Sequence, residues 1–202
     1  MIGAYQNGED LHCLTASLLS KTPITKVTEQ HRQAAKAVNF GLLFAMGAKT
    51  LRDYARNKYQ VEISVDQAQR LKDKFFDSYH GFASYFKQVE ASETNKLKTL
   101  SGRVRHYKRG FAPLPEALNT PIQGTAADII KRALADLPTK LSDTKAQIVA
   151  CIHDEIIIEV DKEQAEIAKR ILEQVMISAG EYYLTDVPVV VEATIAESWA
   201  GK

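Results

Sequence analysis

Three titratable residues, His153, Asp154 and Glu155, stand in direct succession within the apolar stretch VACIHDEIIIEV. The apolar segments on either side alternate with the period of β-strands, which predicts a hairpin with these residues at its turn. An ordinary polar turn is one interpretation, because Asp is a frequent turn residue. The segment lacks the Asn-Gly type of pair that suits a tight hairpin, which favours a functional turn whose carboxylates hold Mg²⁺ through oxygen ligands.

A second set of residues recurs at intervals of four in RQAAKAVNFGLLFAMG, namely Arg32, Lys36, Phe40 and Phe44. On an α-helix this spacing gives one stripe that drifts by about 40° at each step. Two cations on consecutive turns suit a polyphosphate, and two aromatic rings suit a base or a sugar. The pattern is also typical of a solvated basic stripe with two core phenylalanines, so both interpretations stay open at this point.

The four-residue stripe that begins at Arg32 must lie on a helix, and the His153-Asp154-Glu155 turn must join two strands of a hairpin. Apolar spacing predicts helices over 9–20, 28–45, 48–58, 64–81, 82–98, 122–137 and 161–179. Capping patterns place Thr28 before the second helix, a Ser64–Gln67 capping box at the start of the fourth, and Asp161 before the last, with Gly180 after its end. The 122–137 helix is expected to bury Ala126, Ile130, Leu134 and Leu137.

Strands are predicted over 146–152 and 155–161 and in VPVVVEATIAE (187–197), while TLSGRVRHY (99–107) should form a hairpin or loop that turns at Gly102. Helices that precede a small, mostly antiparallel sheet define an α+β fold.

Composition sets the limits within which these predictions apply. The 202 residues are 45% hydrophobic and 25% charged, which is typical of a globular protein with a sizeable core. The net charge of +1 gives no global sign of a nucleic-acid partner, so any basic footprint must be local. Cys13 and Cys151 form no zinc or disulfide pattern, and no signal peptide or membrane span is evident, so a cytoplasmic location without membrane contact is expected.

Taken together, these segments resemble family A DNA polymerases, the DNA polymerase I type. RQAAKAVNFGLLFAMG resembles motif B on the fingers O helix, NTPIQGTAADIIKRAL resembles the Gln-bearing palm helix, and CIHDEIIIEV resembles motif C. GEDLHCLTA and TLSGRVR resemble the segment before the O helix and the fingers-to-palm hairpin. The resemblance runs in the family's order from Gly8 to Trp199, and it implies a helical fingers subdomain over 1–97, with 28–45 as the O helix, and the C-terminal part of a palm over 98–202.

The resemblance also implies roles in template-directed addition of dNTPs to a DNA primer by a two-Mg²⁺ mechanism. Asp154 would hold metal, Glu155 would support that site, and Lys36 could act as the acid for the leaving group. The triphosphate of the incoming nucleotide would contact His12, Arg32 and Lys36. Phe40 would pack on the sugar, and Phe44 would lie near the templating base. The minor groove of the primer-template would contact Asn119, Gln123 and His153.

The sequence departs from the family pattern at several points. Phe44 stands where the family usually has tyrosine, Ala45 where it usually has glycine, and APLPEALNTP lacks the arginine that cellular members carry before the Asn. A phage, plasmid or bacterial setting is therefore expected. No DYSQIE-like motif A, which carries the family's other catalytic aspartate, is present in the sequence.

The absence of motif A leaves two origins open, a polymerase fragment or a split polymerase whose second chain supplies motif A and the thumb. A non-catalytic protein that binds primer-template or nucleotide is the alternative class. An unrelated metal hydrolase using His153 and Asp154 is a weaker alternative, because the other four histidines form no ligand-spaced set.

Overall fold

The computed structural model describes residues 1–108 and 110–201. The chain divides into two compact units. Unit 1 comprises Met1–Lys98 and Val104–Pro121, and unit 2 comprises Thr99–Arg103 and the chain from Ile122 onward. No helix in the described ranges combines the length and the apolar character needed to cross a membrane.

Unit 1 is built mainly from six helices. They are α1 (Ile2–Gln6), α2 (Leu11–Ser20), α3 (Glu29–Leu43), α4 (Ala48–Tyr59), α5 (Val65–Ser78) and α6 (His80–Ala91). The predicted helices 9–20, 28–45, 48–58 and 64–81 are confirmed within a few residues at their ends. Thr28 Oγ1 accepts the His31 N–H at 3.2 Å, and Ser64 with Gln67 forms both hydrogen bonds of the capping box.

The core of unit 1 lies on the apolar side of α3. Its buried members come from α2 to α5 and pack as one cluster: Leu19, Val38, Leu42, Leu51, Ala68 and Phe75. Gly41 allows α4 to pack close to α3, since a Cβ atom there would lie 2.6 Å from Leu51 Cδ1. This packing fixes the orientation of α3, so that the stripe of Arg32, Lys36 and Phe40 lies outside the core.

The predicted helix 82–98 is wrong at its C-terminal end. Helix α6 stops at Ala91, and strand β1 (Lys96–Lys98) pairs in antiparallel register with β2 (Val104–His106). The segment between them contains Ser92 and Thr94, whose hydroxyls bond the Val89 carbonyl and the Lys96 N–H, and such bonds compete with helix continuation. Gly102, with φ of +87°, lies in the turn of this hairpin as predicted.

Helix α7 (Leu114–Lys140) begins eight residues before the predicted start at 122 and continues through Pro121. The expected buried face is also wrong in part, because Ala126 is exposed while Thr125 and Asp128 are buried. The reason is the hairpin turn, which packs on α7 so closely that a Cβ atom on Gly124 would lie 2.5 Å from Thr99 Cγ2. Leu137 is buried as predicted, and Ile130 and Leu134 are half-buried.

Strands β3 (Gln147–Ile152) and β4 (Glu155–Glu159) confirm the predicted central hairpin, with Ile152 opposite Glu155. Helix α8 (Ala165–Glu181) follows a 3₁₀ turn at Lys162–Gln164, later than the start predicted at Asp161. The Asp161 side chain makes no capping bond and lies 2.9 Å from Lys145 Nζ instead. Gly180 is within α8 rather than after its end. The buried side of α8 packs with α7 and β4 in one core.

The predicted last strand, 187–197, is wrong. Burial still alternates from Val187 to Ala193, but this segment joins no ladder with any described strand. It packs on α8 instead, with Val189 against Gly180 and the Ala193 N–H donating to Glu173 Oε1 at 3.2 Å. Alternation records which side chains face the core, whereas a strand also requires a neighbour for its backbone groups. The fold is α+β, as predicted, and the described residues form two two-stranded antiparallel sheets.

Candidate functional site

The N-terminal turn of α2 and the outer side of α3 bring together four residues predicted to contact a nucleotide. The rings of His12 and Phe40 lie with their centroids 5.6 Å apart, and the charges of Arg32 and Lys36 are near enough to lower the pKa of His12. We call this surface the α2–α3 face, defined by His12, Arg32, Lys36 and Phe40. It combines cationic groups with an aromatic ring, a combination that suits a phosphorylated nucleoside.

Asp10 is a member of this surface that sequence reasoning missed. Its Oδ1 atom accepts the backbone N–H groups of His12 at 2.8 Å and Cys13 at 2.9 Å, which caps α2. Its Oδ2 atom accepts from Arg32 Nε at 2.9 Å. The Cys13 N–H and the Arg32 guanidinium lower the pKa of Asp10 although partial burial opposes them. The cap was detectable as an Asp before an apolar helix, whereas the contact with Arg32 spans 22 residues of sequence.

Asn39 is a second residue that the sequence did not indicate. It lies on α3 at 2% exposure, and its Nδ2 atom is 3.0 Å from Nδ1 of His12. Burial lowers the pKa of His12, Arg32 and Lys36 lower it further, and Asp10 acts in the opposite direction. These effects favour the neutral imidazole, and the buried amide of Asn39 lies against the ring.

The remaining members of the stripe differ in how they are held. Lys36 Nζ lies 5.9 Å from the centroid of the Tyr59 ring. Burial, together with the hydrogen bond between the Tyr59 and Tyr54 hydroxyls, raises the pKa of Tyr59 to about 12. Phe40 and Phe44 are 37% and 40% exposed, so the interpretation as two core phenylalanines does not hold. Phe44 follows Leu43 as the C-cap residue of α3 and is not one of the four residues that define the α2–α3 face.

Ala45 directly follows the end of α3 and has a φ of +58°. Left-handed backbone is unfavourable for alanine by roughly 1 kcal/mol, because its Cβ atom crowds the following carbonyl. Ala45 therefore stands where the family usually has glycine, at a position whose backbone conformation favours glycine.

The His153-Asp154-Glu155 segment forms the tight end of the β3–β4 hairpin in unit 2. His153 and Asp154 are the two turn residues, both exposed, and His153 has a φ of +57°. Glu155 begins β4, is half-buried, and its Oε1 atom accepts the indole N–H of Trp199 at 3.1 Å. A positive φ at a non-glycine residue costs backbone strain, and strained residues of this kind cluster at functional sites.

The chemistry of this turn fits part of an Mg²⁺ site. Asp154 supplies exposed carboxylate oxygens, which are the ligand type Mg²⁺ prefers. Glu155 adds a second carboxylate whose position is held by Trp199. Within residues 1–108 and 110–201, no group of three His, Cys, Asp or Glu side chains gathers in a metal-holding arrangement.

Helix α7 carries Asn119 and Gln123, the predicted minor-groove residues other than His153. Asn119 Nδ2 donates to the Pro115 carbonyl at 2.7 Å, and Gln123 is exposed. Their positions on one helix are shown, whereas their contact with DNA stays a prediction.

Asp128 anchors the hairpin turn to α7, and sequence reasoning missed it. Its carboxylate accepts from Ser101 Oγ and from Arg103 Nε, both at 2.7 Å, and the Leu100 N–H donates to the hydroxyl of Thr125 at 3.0 Å. Burial raises the pKa of Asp128, but the hydrogen bonds from Thr99, Ser101 and Arg103 outweigh it and hold the pKa below its usual value. Several hydrogen bonds therefore join the turn to the middle of α7 within unit 2.

Comparison with known proteins identifies the family to which the chain belongs. The sequence model of DNA polymerase family A matches residues 1–201, so the chain belongs to DNA polymerase family A. This confirms the resemblance that the ordered motifs indicated.

Two curated relatives show what share of a DNA polymerase I the chain matches. The chain is 41% identical to DNA polymerase I of Aquifex aeolicus over 98% of its own length and 35% of the relative's. It is 32% identical to the thermostable DNA polymerase I of Thermus aquaticus, again over 98% of the chain, but 24% of the relative. The chain thus spans about a quarter to a third of these proteins.

A solved structure supports the fold independently. The polymerase domain of Pol1 from M. smegmatis, described in complex with DNA primer-template and dNTP, superposes with a TM-score of 0.76 at 30% identity. The match covers 93% of this chain and 34% of that chain.

Proposed function

We propose that this chain is the C-terminal part of a DNA-directed DNA polymerase that adds dNTPs to a primer 3′ end under the direction of a template. In this proposal residues 1–97 act as fingers and residues 98–202 as the C-terminal palm. The observation that carries it is the α2–α3 face, where His12, Arg32, Lys36 and Phe40 stand together outside the core of unit 1. The M. smegmatis domain, described with primer-template and dNTP, supports the same ligands here.

On the α2–α3 face, Arg32, Lys36 and His12 meet the triphosphate, and the ring of Phe40 packs on the sugar. Lys36 Nζ carries three N–H donors and stands on a flexible stem, so it can both hold a phosphate oxygen and give a proton to the leaving group. Phe44, exposed beyond the last turn of α3, lies near the templating base. Asn119, Gln123 and His153 contact the minor groove, where hydrogen-bond acceptors are nearly the same for all base pairs, so these contacts test shape rather than sequence.

Asp154, with Glu155 in support, is the Mg²⁺-holding group of this chain in the two-metal mechanism. Bound Mg²⁺ would stabilise the charge on the attacking and leaving oxygens of the transfer. Both carboxylates belong to one hairpin end, whereas a two-metal site needs bridging carboxylates from more than one side. We propose that a second polymerase chain, which carries motif A and the thumb, supplies the other carboxylate.

Binding of Mg²⁺·dNTP tests the nucleotide half of this proposal. Lys36→Ala removes a charged hydrogen-bond donor, which is worth about 1.5–3 kcal/mol and therefore about a 10- to 150-fold loss of affinity. Lys87→Ala, which removes an exposed lysine of α6, is the matched control and should bind as the wild type does. Calorimetric titration measures both, and equal affinity in wild type and Lys36→Ala would contradict the assignment of α3 to the triphosphate.

A further inference from the structure

A buried amide holds one nitrogen of the His12 ring. Asn39 is 2% exposed, and its Nδ2 atom lies 3.0 Å from His12 Nδ1 across 27 residues of sequence. The Oδ1 atom of the same amide is buried and has no hydrogen-bond partner among the residues that the structure describes. A polar group left unpaired in this way costs stability. The hydrogen bond to His12 is the one that the Asn39 side chain makes among the described residues, and it offsets part of the cost of burying the amide.

The chemistry of the amide decides which form of His12 it accepts. An amide nitrogen offers two N–H donors and no lone pair, so the Nδ1 atom that faces it must act as the acceptor. In the neutral ring the proton then resides on Nε2. A protonated ring would carry N–H on both nitrogens and would place two donors against each other, unless the amide turned over and left its nitrogen unpaired instead.

The charges around His12 favour the same neutral form. His12 is the second residue of α2, where the positive end of the helix dipole disfavours a cation. Arg32 and Lys36 on α3 add two positive charges nearby. Asp10 is the opposing charge, but its carboxylate is already engaged by two backbone N–H groups and by Arg32. The Phe40 ring, which also contacts His12, carries no charge.

We propose that Asn39 is a positioning residue that fixes His12 as the neutral Nε2–H tautomer, so that His12 offers one directed N–H to a triphosphate oxygen. The proposal rests on the nucleotide-binding role of the α2–α3 face. His12 then contributes direction, and the charge that attracts the triphosphate comes from the neighbouring cations. Because the donor is neutral, its contact does not weaken as the pH rises above the usual His pKa of about 6.5.

Nitrogen-15 NMR of the histidine rings in the full chain tests the tautomer directly, with the His12 signal identified by its loss in His12→Ala. At pH 7.5 the wild-type ring should show the pattern of the Nε2–H tautomer. Asn39→Leu has a similar size and no donor, and it should release the ring to a mixture of tautomers. Asn39→Asp places a carboxylate against Nδ1 and should raise the pKa of His12 by at least about one unit.

Exposed His31 serves as an internal control and should be the same in all three proteins. An Nδ1–H tautomer or an imidazolium in the wild type at pH 7.5 would overturn the proposal, as would an unchanged tautomer in Asn39→Leu. If a variant does not fold, the wild-type spectrum alone still distinguishes the Nε2–H tautomer from the forms that would overturn the proposal.

Addition of Mg²⁺·dNTP to the same samples separates this inference from the proposed function. The wild-type Nε2 signal should shift on titration, and the dNTP dissociation constant should rise about 3- to 10-fold in Asn39→Leu, as expected for weakening one neutral hydrogen bond. An Nε2–H tautomer that does not respond to nucleotide would refute the nucleotide contact. A response equal in wild type and Asn39→Leu would refute the positioning role alone.

Discussion

Asp10 holds Arg32 through a single carboxylate oxygen, with Oδ2 lying 2.9 Å from Nε and 2.8 Å from Nη2 of the guanidinium. Glu29 lies 3.6 Å from Nη1 of the same side chain. Of the two cations predicted to meet a triphosphate, Arg32 is therefore already paired. Lys36 faces the Tyr59 ring and makes no ion pair with a described carboxylate.

Asp10→Asn should tighten Mg²⁺·dNTP binding severalfold. Asn is as good an N-cap as Asp, so α2 keeps its cap. The amide nitrogen of Asn, which cannot accept a hydrogen bond, takes the place of the oxygen that holds Arg32, so one negative charge is removed and the guanidinium is released toward the triphosphate. The gain should shrink with added salt, because the effect is a screened Coulomb interaction. Calorimetric titrations at two salt concentrations measure it, with exposed Asp66→Asn in α5 as the control. Weaker binding in Asp10→Asn would show instead that the charge of Asp10 is needed to orient Arg32.

Phe40→Tyr should increase the use of dideoxynucleotides relative to deoxynucleotides in the assembled polymerase. Phe40 has no hydroxyl, and a tyrosine O–H could replace the hydrogen bond that a substrate loses with its 3′-OH. Phe44→Tyr makes the same chemical change one turn further along the stripe and should leave the ratio unaltered. Single-nucleotide incorporation gives both ratios, and an unchanged ratio in Phe40→Tyr would mean that Phe40 does not pack on the sugar.

Ala45→Gly should raise the free energy of unfolding by about 0.5–1 kcal/mol. The φ of +58° at this position is costly for alanine and free for glycine, and the added flexibility of the unfolded chain cancels only part of the gain. Ala34→Gly, inside α3, should lower the same free energy by about 1 kcal/mol. Urea denaturation compares the two variants, and destabilisation by both would argue against strain at Ala45.

Asp128→Asn should destabilise the chain by about 2 kcal/mol at pH 7, because the carboxylate accepts charge-assisted hydrogen bonds from a buried position. The folded-state pKa of Asp128 lies below its unfolded value, so its contribution is fully present above the unfolded pKa, near 3.8, and is lost as the pH falls through the lower folded pKa. The difference between wild type and variant should therefore be constant from pH 7 to about 5 and shrink below that range. Urea denaturation across this pH range measures it, and a difference independent of pH would exclude a charged Asp128.

Features encoded over a few neighbouring residues could be predicted from the sequence. The caps at Thr28 and Ser64, the four-residue stripe on α3 and the β3–β4 hairpin all depend on local spacing. Long-range partners could not be predicted. No local pattern indicates that Asn39 meets His12 or that Arg32 pairs with Asp10.

The same lack of long-range information limits the prediction of the fold. Residues 187–197 have the alternation of a strand but lack a paired neighbour among the described residues, and α7 tolerates Pro121 within a long helix. For residues 187–197 the deciding feature is the neighbouring strand, which would come from a segment far away in sequence and which alternation cannot reveal.

In the proposed mechanism, Asp154 contributes one side of a metal site that motif A of a second chain completes. The decisive experiment is templated primer extension with Mg²⁺, using the purified chain alone and mixed with a polypeptide that carries the thumb and motif A and ends just before the segment matching Met1. Asp161→Ala is the matched control for Asp154→Ala, since Asp161 pairs with Lys145 outside the turn.

We expect extension in the mixture, also with Asp161→Ala, and none with the chain alone or with Asp154→Ala. Extension by the chain alone that disappears in Asp154→Ala would contradict the need for a second chain. No extension in the mixture would contradict the polymerase assignment and favour a non-catalytic protein that binds nucleotide or primer-template.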